Sequence, residues 1–100
     1  PRGMAKLNKA ARGKHRWIGF LTFKGEMSRA DCEIILSEIL PSVKWKLFDF
    51  KKIEGVYTGI IKVPLESYEV SIQLINEDQL LETLTSSGKI NLVRQRLGLK

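Results

Sequence analysis

Two clusters of basic side chains near the ends of the chain are the residues best suited to chemistry with a charged partner. They are Lys9, Arg12, Lys14, His15 and Arg16 in the first cluster, and Lys89, Arg94 and Arg96 in the second. All 11 acidic residues lie between residue 16 and residue 89. Lysine and arginine gain most from a polyanion, because their binding releases its condensed counterions. The pattern predicts nucleic-acid binding; the alternative is that basic ends only keep the protein soluble.

Residues for catalysis by the protein itself do not stand out. Such catalysis needs a nucleophile with a base, converging carboxylates or a phosphate-binding loop. Glu77 and Asp78 are the only adjacent acidic pair, at a predicted helix end. With a single cysteine, Cys32, and a single histidine there is no set of ligands for a structural zinc ion. We therefore expect a binding protein that holds no cofactor or metal itself.

The length of 100 residues is enough for one domain with a modest core. No apolar run approaches the roughly 18 residues of a membrane span, and no apolar signal-peptide core follows the basic start. The cytoplasm is therefore the expected compartment. Pro-Arg-Gly ahead of Met4 is typical of a cleaved tag. We expect a tag remnant and basic arm over residues 1–13 and a single domain over residues 14–100.

The first half of the chain predicts a strand, a helix and a hairpin. RWIGFLTFKG, from residue 16, is rich in β-formers and predicts a central strand. Ser28 and Asp31 form a capping box, and the helix that follows ends before Pro41. VKWKLFDFKK and GVYTGIIKV then predict an antiparallel hairpin. Strict alternation places Phe48 and Phe50 on one face of its first strand, where we expect them to contact a protein partner or a second copy of the chain.

The second half of the chain gives weaker signals of secondary structure. Residues 65–76 fit helical spacing from Leu65 onward, but strict alternation from Tyr68 fits a strand equally well. A short strand is predicted over residues 79–85. Ser87 and Gly88 are predicted to open a last helix that stops at Gly98.

With the helical option, the element order is βαββαβ with an extra C-terminal helix. This order predicts an α+β protein with a ferredoxin-like, RRM-like antiparallel sheet and helices on one face. An ordinary RNA-recognition motif reads bases with aromatic side chains in one strand, and GVYTGIIKV lacks that set. Any RNA contact is therefore expected mainly at phosphate and sugar groups.

Three segments resemble one family. KHRWIGF (14–20) is similar to the K-H-R-Y-I-A-F start of the small ferredoxin-like subunit of archaeal ribonuclease P, also called component 2. VYTGIIKV (56–63) resembles that family's Q-T-G-I-V-R-V strand, and TLTSSGKI (83–90) resembles its T-L-x-V-S/G-G-T-I segment. The resemblance spans residues 13–97.

The resemblance implies a subunit of the ribonucleoprotein that removes the 5′ leader from precursor tRNA. In that family the RNA performs magnesium-dependent hydrolysis, and this subunit pairs with a TIM-barrel subunit to support the catalytic half of the RNA. A homodimer within a heterotetramer is a possible assembly. We expect the two basic clusters, with Ser87 and Gly88, to grip the RNA backbone. The alternative is a ferredoxin-like protein-interaction or small-ligand regulatory domain without RNA affinity.

Overall fold

A computed structural model describes residues 15–99 as four strands and three α-helices. The strands are β1 (His15–Thr22), β2 (Lys46–Ile53), β3 (Val56–Pro64) and β4 (Leu81–Ser87). The helices are α1 (Arg29–Ile39), α2 (Tyr68–Glu77) and α3 (Ile90–Leu97), with a 3-10 turn at Leu65–Ser67. Lys9, Arg12 and Lys14, predicted to bind RNA, lie outside the described residues.

The strands form one antiparallel sheet in the order β2-β3-β1-β4. β1 lies between β3 and β4, so the prediction of a central first strand is confirmed. The architecture is a mixed α+β fold, consistent with a ferredoxin-like fold. Within residues 15–99, none of the helices is both long enough and apolar enough to cross a membrane.

Alternate residues of β1 face different helices. Ile18 and Phe20 are fully buried in the main core together with Leu36 of α1 and Ile75 of α2. Gly19 points the other way, because a Cβ there would lie 2.7 Å from Cδ1 of Leu97 in α3. The extra C-terminal helix therefore covers the sheet face opposite α1 and α2, and Gly19 allows its close approach.

The predicted capping box at the start of α1 is confirmed. The Asp31 N–H donates to Ser28 Oγ at 3.0 Å, and the Ser28 N–H donates to Asp31 Oδ2 at 3.1 Å. The hydrogen bond from the Ser28 backbone N–H to the carboxylate, and after it the interaction with the Ser28 side chain, lower the pKa of Asp31. The helix stops at Ile39, with Leu40 as its C-cap immediately before Pro41.

Cys32 is buried on the core side of α1. Loss of hydration raises the pKa of the Cys32 thiol from 9.0 to about 12. Above pH 9 the unfolded thiol ionises while the folded thiol stays neutral, so Cys32 makes the free energy of unfolding fall as pH rises from 9 toward 12. Urea unfolding at alkaline pH should show this fall, and the Cys32→Ala variant should lack this part of it. Identical alkaline slopes would contradict this interpretation.

The hairpin is confirmed, but its first strand contains a bulge that reverses one prediction. Glu54 and Gly55 form the turn, both with positive φ, at 51° and 85°. The register with β3 shifts between Leu47 and Asp49, so Phe48 is the extra residue. Phe50 packs against the main core, whereas Phe48 packs on Trp17. Because of the bulge, Phe48 and Phe50 do not share a face.

The segment after β3, whose sequence fits a helix and a strand equally well, is helical. Leu65–Ser67 forms the 3-10 turn and α2 follows, so the strand option at 65–76 is wrong. β4 begins at Leu81, two residues later than predicted. The last helix begins at Ile90 with Lys89 as N-cap, and Gly98 ends it at φ 77°. Ser87 and Gly88 precede the helix and do not belong to its first turn.

Candidate nucleic-acid interface

The carboxyl end of β4 brings together Arg16, from the first predicted basic cluster, and Lys89, from the second. Trp17 of β1 pairs with Ser87, the last residue of β4. One residue further out, Nη1 of Arg16 lies 3.4 Å from where a Cβ would stand at Gly88. Exposed Lys89 follows directly. Arg16 and Lys89 therefore lie at the same edge of the sheet, although 72 residues separate them in the sequence.

The Arg16 side chain is positioned by an aromatic ring. Its guanidinium carbon lies 5.9 Å from the centre of the Tyr68 ring, and its Nη1 donates to the His15 carbonyl at 3.2 Å. The Tyr68 hydroxyl is hydrogen-bonded to Ser86 Oγ at 2.6 Å, so α2 is tied to β4 beneath the guanidinium. A guanidinium held in this way loses less conformational freedom when it binds a phosphate.

Arg96 reaches the same strand from the opposite face of the sheet. Its Nη1 donates to Thr85 Oγ1 at 3.0 Å and to the Ser86 carbonyl at 3.1 Å. We name Arg16, Lys89 and Arg96 the positive corner. Among residues 15–99, no member of the positive corner forms an ion pair with a carboxylate. Their charges are therefore available to a polyanion.

Arg94 has a different environment from the positive corner. It donates from Nε to Asp49 Oδ2 at 2.6 Å and from Nη2 to Asp49 Oδ1 at 3.1 Å. The hydrogen bonds to Asp49 raise the pKa of Arg94. This two-pronged ion pair ties α3 to β2 and offsets the positive charge of Arg94. Its predicted contact with RNA would have to share the guanidinium with Asp49.

The other predicted site residues occupy varied positions. Ser87 Oγ accepts a hydrogen bond from the Lys89 N–H at 3.1 Å, and Gly88 is exposed between them. His15 is half-buried at the start of β1. Phe48 and Phe50, predicted to contact a protein, are both half-buried.

Apolar side chains that are more exposed than Phe48 and Phe50 lie elsewhere on the molecule. Phe23 is 61% exposed and Ile34 is 59% exposed. Sequence reasoning missed both, because Phe23 follows directly after an apolar strand and Ile34 lies beside the apolar stripe of α1. Thr22 before Phe23 is buried and Ile35 after Ile34 packs against the core, and only the structure shows that Phe23 and Ile34 do not.

Two open pockets differ in charge. One, of about 470 Å³, lies along edge strand β2 and is lined by basic and aromatic side chains that include Arg29, Phe48 and Arg94. Arg29 donates to the Leu47 carbonyl at 2.6 Å, so it caps the bulge. The other, of about 310 Å³, lies between α1 and α2 and has Glu38 on its rim. Within residues 15–99, no three metal-ligating side chains converge.

Many of the acidic residues lie in α1, the 3-10 turn and α2. α1 carries one base, Arg29, and neither the 3-10 turn nor α2 contains lysine or arginine. The acids of these segments are Asp31, Glu33, Glu38, Glu66, Glu69 and Glu77. A polyanion is therefore repelled from the exposed acidic side chains of these segments and attracted to the positive corner.

No protein-family model matches the chain, and no curated protein matches it significantly. Its function is therefore inferred from the arrangement of these residues and from the motifs that they carry.

Proposed function

We propose that the chain is a ferredoxin-like, non-catalytic, RNA-binding subunit of ribonuclease P. The observation that carries this proposal is the positive corner, where Arg16, Lys89 and Arg96 lie around the end of one edge strand without a carboxylate partner among residues 15–99. Three such cations at a sheet edge suit the phosphates of one RNA segment, because charge-assisted bonds to phosphate are strong and release counterions.

The positions of the family-like segments support the proposal. KHRWIGF (14–20) extends into β1, VYTGIIKV (56–63) lies in β3, and TLTSSGKI (83–90) begins in β4. These three strands are neighbours, with β1 in the middle. Segments that are distant in the chain thus adjoin in the sheet, and two of them contribute residues to the positive corner.

In this role the chain binds and orients RNA, and the RNA with its own magnesium cleaves precursor tRNA. The predicted partners are the ribonuclease P RNA, the precursor tRNA and the TIM-barrel subunit, with a second copy of the chain as a possible neighbour. Phe23 and Ile34 are each more exposed to a protein partner than Phe48 and Phe50. The working compartment is the cytoplasm.

Filter binding at physiological salt separates this proposal from the alternative of a protein-interaction or small-ligand domain. The protein should retain labelled ribonuclease P RNA on the filter, and less RNA should be retained as the salt concentration rises. The corresponding amount of bovine serum albumin serves as the blank. Absence of retention at physiological salt would favour the alternative.

A further inference from the structure

A row of side chains crosses the sheet on the face that carries α3. Lys46 of β2 lies opposite Lys62 of β3, Lys62 lies opposite Trp17 of β1, and Trp17 lies opposite Ser87 of β4. Directly paired residues point to the same face, and neighbouring strands are about 4.8 Å apart. Two lysines and an indole therefore lie in line, and the row ends beside the positive corner.

The bulge adds a second aromatic ring to this row. Phe48 packs edge-on against Trp17, with ring centres 4.7 Å apart and planes at 76°. Lys62 Nζ lies 5.6 Å from the centre of the Trp17 ring, and Lys46 Nζ lies 5.5 Å from that of Phe48. At such distances the electron-rich ring face attracts the ammonium group. We name Trp17, Phe48, Lys46 and Lys62 the aromatic–lysine row.

The two lysines of the row have no acidic partner in the part of the chain that the structure describes. Its ion pairs join Arg29 to Glu33, Lys52 to Glu26 and Arg94 to Asp49. Asp49, an acid of the same strand as Lys46 and Phe48, is thus already bound to Arg94. The ammonium groups lie over the aromatic rings instead, so their N–H donors can bind an anion.

This combination fits the chemistry of an unpaired nucleotide better than that of a duplex. A single-stranded base can stack on an aromatic ring while cations beside it contact the flanking phosphates. A paired base has both faces occupied by its neighbours and offers this surface only its phosphates. Trp17 is half-buried, so one part of the indole is fixed in the sheet while another remains accessible.

Building on the proposed RNA binding, we propose that the aromatic–lysine row is a subsite for one unpaired nucleotide. The base stacks on Trp17 in place of the Lys62 ammonium group, and Lys46 and Lys62 turn to the adjoining phosphates. The expectation that RNA contacts are confined mainly to phosphate and sugar is thereby extended by one stacked base. The positive corner binds phosphates of the RNA where the RNA leaves the aromatic–lysine row.

Tryptophan fluorescence tests the subsite directly. The only other tryptophan, Trp45, packs against the main core, so the Trp45→Phe variant leaves Trp17 as the sole reporter. A short oligoadenylate should quench this fluorescence. Inorganic tripolyphosphate and an RNA duplex, which present phosphates without a free base, should leave it nearly unchanged.

Substitutions in the row separate stacking from folding. Trp17→Leu should weaken oligoadenylate binding by about 5-fold to 100-fold, the range for losing one stacked base. Trp17→Phe keeps a ring and should retain most of the affinity. Lys46→Gln with Lys62→Gln should weaken binding while Trp17 is still present. Thermal unfolding of each variant verifies that the fold is intact.

Each other outcome overturns the subsite in a recognisable way. Unchanged oligoadenylate affinity in Trp17→Leu rejects stacking, and the proposed function stands if ribonuclease P RNA still binds. Quenching by tripolyphosphate as strong as by oligoadenylate means that the row is only an anion-binding patch. A response to the TIM-barrel subunit but not to oligoadenylate makes the row a protein contact. Failure of all RNAs to bind rejects the subsite and the proposed function together.

Discussion

Replacing Phe20 with alanine is expected to lower the free energy of unfolding by about 3–5 kcal/mol, the usual cost of removing a buried aromatic ring. Phe20 is fully buried in the main core, and its ring lies against Gly59 of β3. This loss is a large part of the 5–15 kcal/mol typical of a domain. Urea unfolding measures it. Phe23→Ala is the matched control, because Phe23 is 61% exposed and its removal should change stability little.

Gly59 provides an independent test of where the Phe20 ring lies. A Cβ at Gly59 would stand 2.6 Å from Phe20 Cζ and 3.1 Å from the Asp49 carbonyl oxygen. Gly59→Ala alone should therefore cost about 1–3 kcal/mol through overpacking. Phe20→Leu removes Cζ, so adding it to Gly59→Ala should cost less than the sum of the two single changes. Strictly additive costs would mean that the ring does not lie over Gly59.

Neutralising the positive corner is expected to have the largest effect on RNA binding. The variant Arg16→Gln, Lys89→Gln, Arg96→Gln removes three uncompensated charges from one sheet edge. The slope of log affinity against log salt should become shallower by about 2–3, because each lost phosphate contact contributes about 0.7–0.9. Filter binding over a salt series gives this slope for ribonuclease P RNA.

A charge-matched control separates the positive corner from net charge. Lys24→Gln, Lys51→Gln, Lys52→Gln also removes three charges, but from the opposite end of the sheet, where Lys51 pairs with Thr58 and Lys52 pairs with Tyr57. Lys52 is exposed, and its contacts with Glu26 at 3.5 Å and with the Tyr57 ring at 5.6 Å are at the surface, so its loss should not disturb the fold. Equal flattening of the salt slope in both variants would show that net charge alone, and not the positive corner, attracts RNA.

Local signals predicted much of the fold. Ser28 and Asp31 define the start of α1 through two hydrogen bonds within one turn, and Glu54-Gly55 supplies the positive φ angles that a tight hairpin needs. Such features depend on neighbours in sequence, so sequence reasoning finds them. The tie at residues 65–76 was different, because helix and strand periodicity fit equally and only burial against the sheet decides.

The features that the sequence did not predict depend on contacts between residues far apart in the chain. The bulge at Phe48 has no composition signal, yet it moves every later residue of β2 relative to simple alternation and separates Phe48 from Phe50. The covering of the second sheet face by α3 depends on Gly19, and a glycine in a strand indicates a close approach without identifying the partner. The pairing of Arg94 with Asp49 likewise joins residues 45 positions apart.

Predicting that Arg16 and Lys89 lie close together required only that their strands be neighbours. Arg16 and Lys89 flank the paired residues Trp17 and Ser87, so the β1–β4 pairing carries the proximity. The aromatic–lysine row was beyond sequence reasoning, because it needs the register of three strands and the bulge at once. Its members lie in three different strands and form no motif along the chain.

Reconstituted cleavage of precursor tRNA tests the central claim most directly. Ribonuclease P RNA and the TIM-barrel subunit are incubated with precursor tRNA at low magnesium, alone or with the wild-type chain, the positive-corner variant or the charge-matched control. We predict that the wild-type chain and the control accelerate removal of the 5′ leader and that the positive-corner variant does so much less. Cleavage that is equally fast with and without the chain, or equally fast with all three forms of it, would contradict the account.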